Sequence, residues 1–465
     1  METEMNHREP GGSPMARMPV NRLLFHMAAP MMVSMVGQAL YNVVDTFFVS
    51  HIPDSPEIVD YGEKAVNALT LAYPIQILMI AIGVGTGVGI NAVLARQLGQ
   101  KRREVASETA GNAIFVTLVY SLAFFLFGLF GAPAFIASQT GNEEIGSLAV
   151  LYLQIVTIFS FGTVMYMALE KIIMATGHTM VTMTAQLAGA LANCLLDPIL
   201  IYGCFGLPAM GVAGAAAATV IGQFLSLFIA GHYYFHEIRE LDHGFRCLKP
   251  RLQVLSPVYA IGIPAMVMQL LTPVMSYGMN IILGGLSVSA VTAYGIYYKL
   301  QNFVFMPAYG LNNASIPIIS FNRGAGRGDR VKGTLRWALM GALAIMAAGM
   351  AVIGAGAGIL VHGFGLTEES MNLTVTALHI ILWGFPFAGI TIILQGACQA
   401  MEEGGCSLLI SFVRLILIPL PFAWLAAKES NGLFLVWLSI PGGELAAGIL
   451  ALFLTVWAMK KRDIR

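Results

Sequence analysis

The chain has 465 residues, of which 57% are hydrophobic and 11% charged, with a mean hydropathy of +0.75 and a formal net charge of zero. Soluble domains carry roughly a quarter of their residues as charges. This composition therefore excludes a soluble enzyme or a nucleic-acid-binding protein and points to a polytopic membrane protein.

Twelve apolar runs are each long enough to cross about 30 Å of hydrocarbon as a helix. They are predicted over 20–50, 66–98, 105–130, 145–175, 179–203, 211–235, 254–284, 290–322, 331–362, 368–400, 404–427 and 431–459. The expected fold class is all-α, with twelve transmembrane helices in two pseudo-symmetric six-helix lobes around a central cavity. Residues 1–19 are polar, and the first run is too long for a signal-peptide core, so the first span itself is expected to target the chain. With the N-terminus cytoplasmic, 21 of the 25 Lys and Arg lie in internal segments or at the inner ends of spans; Lys64 and Lys428 fall outside, and Lys299 and Arg414 lie within spans. The external loops are acidic, and the positive-inside bias places both termini in the cytoplasm.

The first span carries Asp45, the sole charged side chain between Arg22 and Asp54. A carboxylate at bilayer depth costs roughly 2.5–3.5 kcal/mol on insertion scales, so a functional role is expected. Gln38, Asn42 and Asp45 follow helical spacing and share a face, with Ser34 one turn earlier. In the fifth span Gln186, Asn193 and Asp197 form a second polar stripe, and Thr219 and Gln223 form a third in the sixth. Asp45, Asn193, Asp197 and Thr219 are hard oxygen donors that suit H⁺ or Na⁺. Two carboxylates together in a low dielectric do not both ionise cheaply, so proton and Na⁺ would compete for one site. Gln38, Tyr41 and Asn42 of the first span, with Met183 and Gln186 of the fifth, are assigned to the wall of the substrate cavity. Clustered methionines offer adaptable apolar surface there or fill the lipid-facing surface.

The longest internal charged segment, 236–253, divides the spans six and six. The expected organisation is an N-terminal tail (1–19), an N-lobe (20–235), a cytoplasmic linker (236–253), a C-lobe (254–459) and a short tail (460–465). The second span ends GVGTGVGINAVLARQLGQKRREVA (83–106) and the eighth ends YGLNNASIPIISFNRGAGRGDRVKGTL (309–335). Each joins a Gly-rich apolar helix to a basic turn, as in transporters built from parallel repeats that rock around a central path.

Other charges leave alternatives open. Glu170 and its neighbour Lys171 form either a snorkelling pair or a gate at the inner surface. Lys299 either pairs with a carboxylate across the cavity or satisfies carbonyl groups. Arg414 is expected to pair with Glu402 or Glu403, and Glu444 has no assigned partner. His232 and His236 have helical metal-ligand spacing without further ligands nearby and are assigned to the interface. The five cysteines show no metal spacing and are expected to be free thiols. No P-loop, HExxH or GxSxG motif appears, so no cofactor and no ATP-driven transport are expected.

Several of these segments together resemble the multidrug and toxic compound extrusion (MATE) family. They are VDTFFVS after a Pro-initiated first span, ARQLGQKRREVA, ATGHT, ANCLLDPILIYG (192–203), GVAGAAAATVIGQ (211–223), MPAYGLNNASIPIISFNRGAG (306–326) and QAMEEGG with Arg414. The resemblance implies an exporter that exchanges small, often cationic aromatic compounds for external H⁺ or Na⁺ across the plasma membrane. It also implies that Asp45, Asn193 and Asp197 form an N-lobe coupling site, to which Thr219 is a looser match. Another branch carries carboxylates in spans seven and ten, and 264–284 and 372–400 contain none.

A monomer embedded in the bilayer, with drug-like substrates and no nucleic acid, is the expected working unit. The competing readings are a flippase for lipid-linked sugars and an integral membrane enzyme. The first calls for several cavity cations to hold phosphates, where only Lys299 and Arg414 are available, and the second for clustered His, Asp or Cys at an interface.

Overall fold

The computed structural model describes residues 14–54, 58–364, 366–429 and 431–464. Apolar side chains surround nearly every long segment, so with their backbone groups paired internally these segments form helices of membrane-crossing length. Six precede the charged linker: α1 (Val20–Ser50), α2 (Tyr61–Gly99), α3 (Arg103–Ala137), α4 (Glu143–Ile158 and Ser160–Thr176, bent by 46°), α5 (Thr179–Tyr202) and α6 (Val212–His236). Six follow it: α7 (Leu252–Gly284), α8 (Val288–Gly324), α9 (Gly328–His362), α10 (Ser370–Ala400), α11 (Gly404–Ala426) and α12 (Gly432–Lys461).

Ten of these are long and apolar enough to cross a membrane as single helices, and the bent α4 makes eleven. The twelfth, α8, has the length but carries Lys299, Asn302, Asn312, Asn313 and Asn322, and much of its second half is buried inside the protein. The twelve-helix expectation thus holds. Local chemistry sets the ends: the Asn142 side chain accepts from the Glu144 and Ile145 N–H groups at 3.0 and 3.1 Å to start α4. Gly177 (φ +96°) and Gly203 (φ +75°) end α4 and α5 in left-handed conformations that favour glycine. Single π-turns at Phe127–Gly131 and Val413–Leu417 interrupt α3 and α11.

Helix direction sorts the ends into a basic face, where α1 begins and α12 ends, and an acidic face. The apolar core divides accordingly. One cluster, running through Leu23, Met27, Ala92, Ile172, Ile261 and Ile318, is shared by both lobes near the basic face. Towards the acidic face it splits into one cluster confined to the first six helices and another confined to the last six. Small residues make the shared half possible. A Cβ on Gly85 would lie 2.6 Å from the Met266 backbone nitrogen, and one on Gly310 would lie 2.7 Å from the Met32 Cα. A Cβ on Gly89 would collide with the Val258 carbonyl oxygen, and one on Gly324 with that of Arg96. The lobes therefore meet backbone to backbone on the basic half. Towards the acidic face no shared apolar core joins the lobes among the described residues, and Tyr73 of α2 lies near Tyr298 of α8 across this interlobe cleft.

Candidate functional site

Close approach of α5 and α6 builds one wall of the site. A Cβ on Gly189 would lie 2.5 Å from the Gly222 carbonyl oxygen, and the Ser226 hydroxyl donates to the Ala185 carbonyl at 2.9 Å. Absent side chains at this crossing bring Thr219 to Asn193, whose Nδ2 donates to the Thr219 hydroxyl at 3.3 Å. One turn further along α5, Asp197 is 0% exposed. Pro198 follows it inside the helix and provides no N–H for the carbonyl of Cys194.

The opposing wall is α1. Ser34 donates to Gln186 Oε1, and Gln186 Nε2 donates to Gln38 Oε1 at 3.0 Å, so the α1 and α5 stripes are joined by amide and hydroxyl contacts. Beyond that junction the Asp45 and Asp197 carboxyl groups lie against one another, with Tyr41 close to both. Asp45 Oδ1, Asn193 Oδ1 and both Asp197 carboxylate oxygens are buried with no donor to them among the described residues. Unfilled hard oxygens on the facing stripes of α1 and α5 suit a small hard cation, or a proton shared between the two carboxyl groups. Low dielectric makes two adjacent negative charges costly, so the pair favours uptake of one positive charge.

The four residues assigned to cation coupling, Asp45, Asn193, Asp197 and Thr219, therefore come together. Gln38 and Gln186 belong to the adjoining layer. Asn42 is exposed, and its carbonyl accepts from the Thr46 hydroxyl at 2.8 Å. Met183 faces a different cavity, with Met180. Sequence reasoning did not single out Tyr152 of α4, which is buried beside Asp45, Asp197 and Tyr41 and receives Gln76 Nε2 at 3.1 Å. Its helix carries no polar stripe that would have marked it.

Arg414 is a correction. Eleven residues, about 16 Å of helix rise, separate it from Glu403, and the π-turn at Val413–Leu417 directs it towards α12. Its Nε lies 2.8 Å from both oxygens of Glu444, with the Phe305 ring centroid 5.7 Å from the guanidinium carbon. Glu402 and Glu403 have other partners. Arg96 of α2 reaches Glu402 at 2.7 Å and Arg323 of α8 reaches it at 3.5 Å, while Lys461 and Arg462 hold Glu403 at 3.0 and 2.9 Å. The Glu402 bridge ties the two lobes together at the basic face.

Glu170 and Lys171 are both buried, 3.5 Å apart, with Lys171 packed under Gly87, so neither snorkels to the surface. Lys299 is exposed and enters no ion pair among the described residues. His232 and His236 stack at 4.5 Å between ring centroids and are exposed. Cys194, Cys204, Cys247, Cys398 and Cys406 are free thiols.

The MatE family model matches residues 30–199 and 264–425, one segment in each lobe. Among characterised proteins, the chain is 25% identical over 445 residues to the multidrug export protein MepA of Staphylococcus aureus, covering 96% of this chain and 95% of that protein. The MepA protein of Staphylococcus saprophyticus is 23% identical, over 94% of each chain. Among solved structures, MATE in complex with MaL6 superposes with a TM-score of 0.88 at 23% identity, covering 97% of this chain and 98% of that one. A MOP superfamily transporter from Pyrococcus furiosus gives 0.85 at 24% identity over 97% of each chain. The fold, the two matched segments and the motifs agree: this chain belongs to the MatE family of membrane transporters and is not an enzyme.

Proposed function

We propose that this protein is a secondary active multidrug exporter that exchanges small, often cationic aromatic compounds for H⁺ or Na⁺ by alternating access. The observation that carries this reading is the proximity of the Asp45 and Asp197 carboxyl groups, with Asp45 Oδ1 and both Asp197 oxygens buried and unfilled at the inner wall of one lobe. A cation entering from the acidic face neutralises the pair and changes how α1 and α5 pack. A substrate cation that needs the negative pair loses its counter-charge at the same moment. Competition for the same carboxylates couples the two fluxes without ATP.

The likeness to MepA supports the substrate class. The basic face is cytoplasmic on this reading, consistent with the charge bias of the loops, and the membrane is the plasma membrane. The linker at 236–253 divides an N-lobe (20–235) from a C-lobe (254–459). One chain supplies both walls of the cleft and works as a monomer. Lipid-linked sugar export is disfavoured because Arg414, one of the two intramembrane cations available to hold phosphates, is neutralised by Glu444.

Purified protein in liposomes, loaded with ethidium and given a proton or a Na⁺ gradient, tests the proposal. Uphill efflux driven by one of the gradients is expected. Purely downhill flux under both gradients would overturn the antiporter assignment.

A further inference from the structure

A cavity of about 1070 Å³ lies away from the carboxylates, on the outer side of the basic half. Its walls come from both lobes: Phe25 and Met32 of α1, Met180 and Met183 of α5, and Trp337 and Met340 of α9. Val33, at its deep end, is twelve residues from Asp45, about 18 Å along the helix. At this level the space between the lobes is filled by the shared core, in which Leu23, Leu24, Met27 and Ala28 are buried. The exposed side chains of α1 here, including Phe25 at 76%, therefore face the bilayer and not the cleft.

The groove is apolar along its length and polar at one end, where Asn21, Arg22 and His26 line it. A Cβ on Gly333 of α9 would lie 3.8 Å from the Val20 side chain, which sets the first turns of α9 level with the first turn of α1. Lys332 and Arg336, one helical turn apart, thus flank the same end as Arg22. All three are exposed and enter no ion pair among the described residues, and the neighbouring acid is Asp329. An apolar slot at the upper limit of ligand-site sizes, capped by three cations against one carboxylate at headgroup depth, has the chemistry to hold an anionic lipid.

We infer that this groove is a binding site for an anionic phospholipid of the leaflet at the basic face, with its acyl chains against Met180, Met183 and Trp337 and its headgroup on Arg22, Lys332 and Arg336. The three cations would repel a cationic drug from the same entrance. Because α1 and α5 belong to one lobe and α8 and α9 to the other, rocking of the lobes changes the width of the groove. A lipid seated there binds one conformation better than the other and shifts the equilibrium towards it.

The test is native mass spectrometry of the full chain in mild detergent, titrated with phosphatidylglycerol or with phosphatidylcholine of the same acyl chains. One phosphatidylglycerol is expected to remain bound at activation energies that strip phosphatidylcholine. Replacing the cations together (Arg22→Gln, Lys332→Gln, Arg336→Gln) is expected to weaken retention on the order of tenfold or more. Ala29→Trp fills the groove, leaves the cations in place and should also abolish retention. A second readout is uphill efflux in liposomes, where the stimulation by phosphatidylglycerol over phosphatidylcholine should vanish in the triple variant. Equal retention of the two lipids, unchanged retention in either variant, or displacement of the lipid by ethidium would each overturn the assignment.

Discussion

Arg414 Nε lies 2.8 Å from both carboxylate oxygens of Glu444, so the buried acid of the C-lobe is neutralised by a base on the neighbouring helix. In the N-lobe the half-buried Asp45 and the buried Asp197 lie together with no base beside them among the described residues. These two carboxylate sites thus treat charge in opposite ways. One closes its pair internally, and the other leaves a charge deficit that a mobile cation can fill. This asymmetry supports the proposal that coupling chemistry lies in the N-lobe more sharply than the count of acidic residues does.

Asp45→Asn and Asp197→Asn are expected to abolish gradient-driven efflux while leaving expression and thermal stability intact, because each substitution removes one of the two adjacent charges and keeps the side-chain shape. Ethidium counterflow without a gradient separates loss of coupling from loss of folding. Wild-type uphill efflux in either variant would sink the assignment.

The C-lobe pair predicts the opposite pattern. Removing one partner of a buried ion pair leaves an uncompensated charge and costs about 3–5 kcal/mol, so Glu444→Gln and Arg414→Met should each lower the melting temperature in detergent. The double variant should recover most of that loss and retain coupled transport. A double variant that is stable yet uncoupled would show that the pair belongs to the transport machinery.

The N-lobe site was legible because a helix at bilayer depth has few reasons to carry Gln38, Asn42 and Asp45 on one face, and α5 repeats the pattern with Gln186, Asn193 and Asp197. Regular helical spacing turns such stripes into geometry directly. Arg414 was not legible, because the π-turn at Val413–Leu417 breaks that spacing and redirects the side chain to an acid thirty residues ahead. Tyr152 was hidden for another reason: its place beside Asp45 depends on how α4 packs, not on any periodicity of its own. The lateral groove likewise arises from four helices of both lobes, and no single segment announces it.

At the basic face, Glu402 accepts from Arg96 of the N-lobe and lies near Arg323 of the C-lobe, so the bridge exists only while that side is closed. A hydrogen bond to a charged group contributes on the order of 1.5–3 kcal/mol. Glu402→Gln is expected to shift the population roughly tenfold or more towards the state open at this face. Spin labels at Gln100 and Lys332 should report a longer distance. Glu403→Gln is the control, because Glu403 pairs with Lys461 and Arg462 of its own lobe and its loss should leave the distance unchanged.

The closed state also depends on the absence of a side chain at Gly89. Its position against the Val258 carbonyl leaves no room for a Cβ, and the obstacle is backbone of α7, which cannot rotate away as a side chain would. Gly89→Val must therefore push α2 from α7, at a cost of about 1–3 kcal/mol for overpacking. That cost is borne by the state in which the lobes touch and not by one in which they have separated. The expected outcome is the same lengthening of the Gln100–Lys332 distance seen on breaking the Glu402 bridge, with slower uphill efflux and little change in folding. Gly358→Ala, where a Cβ meets open space on α9, should alter neither. If Gly89→Val leaves the distance distribution untouched, the contact between α2 and α7 is not what moves during transport, and the lobes must part along a different seam.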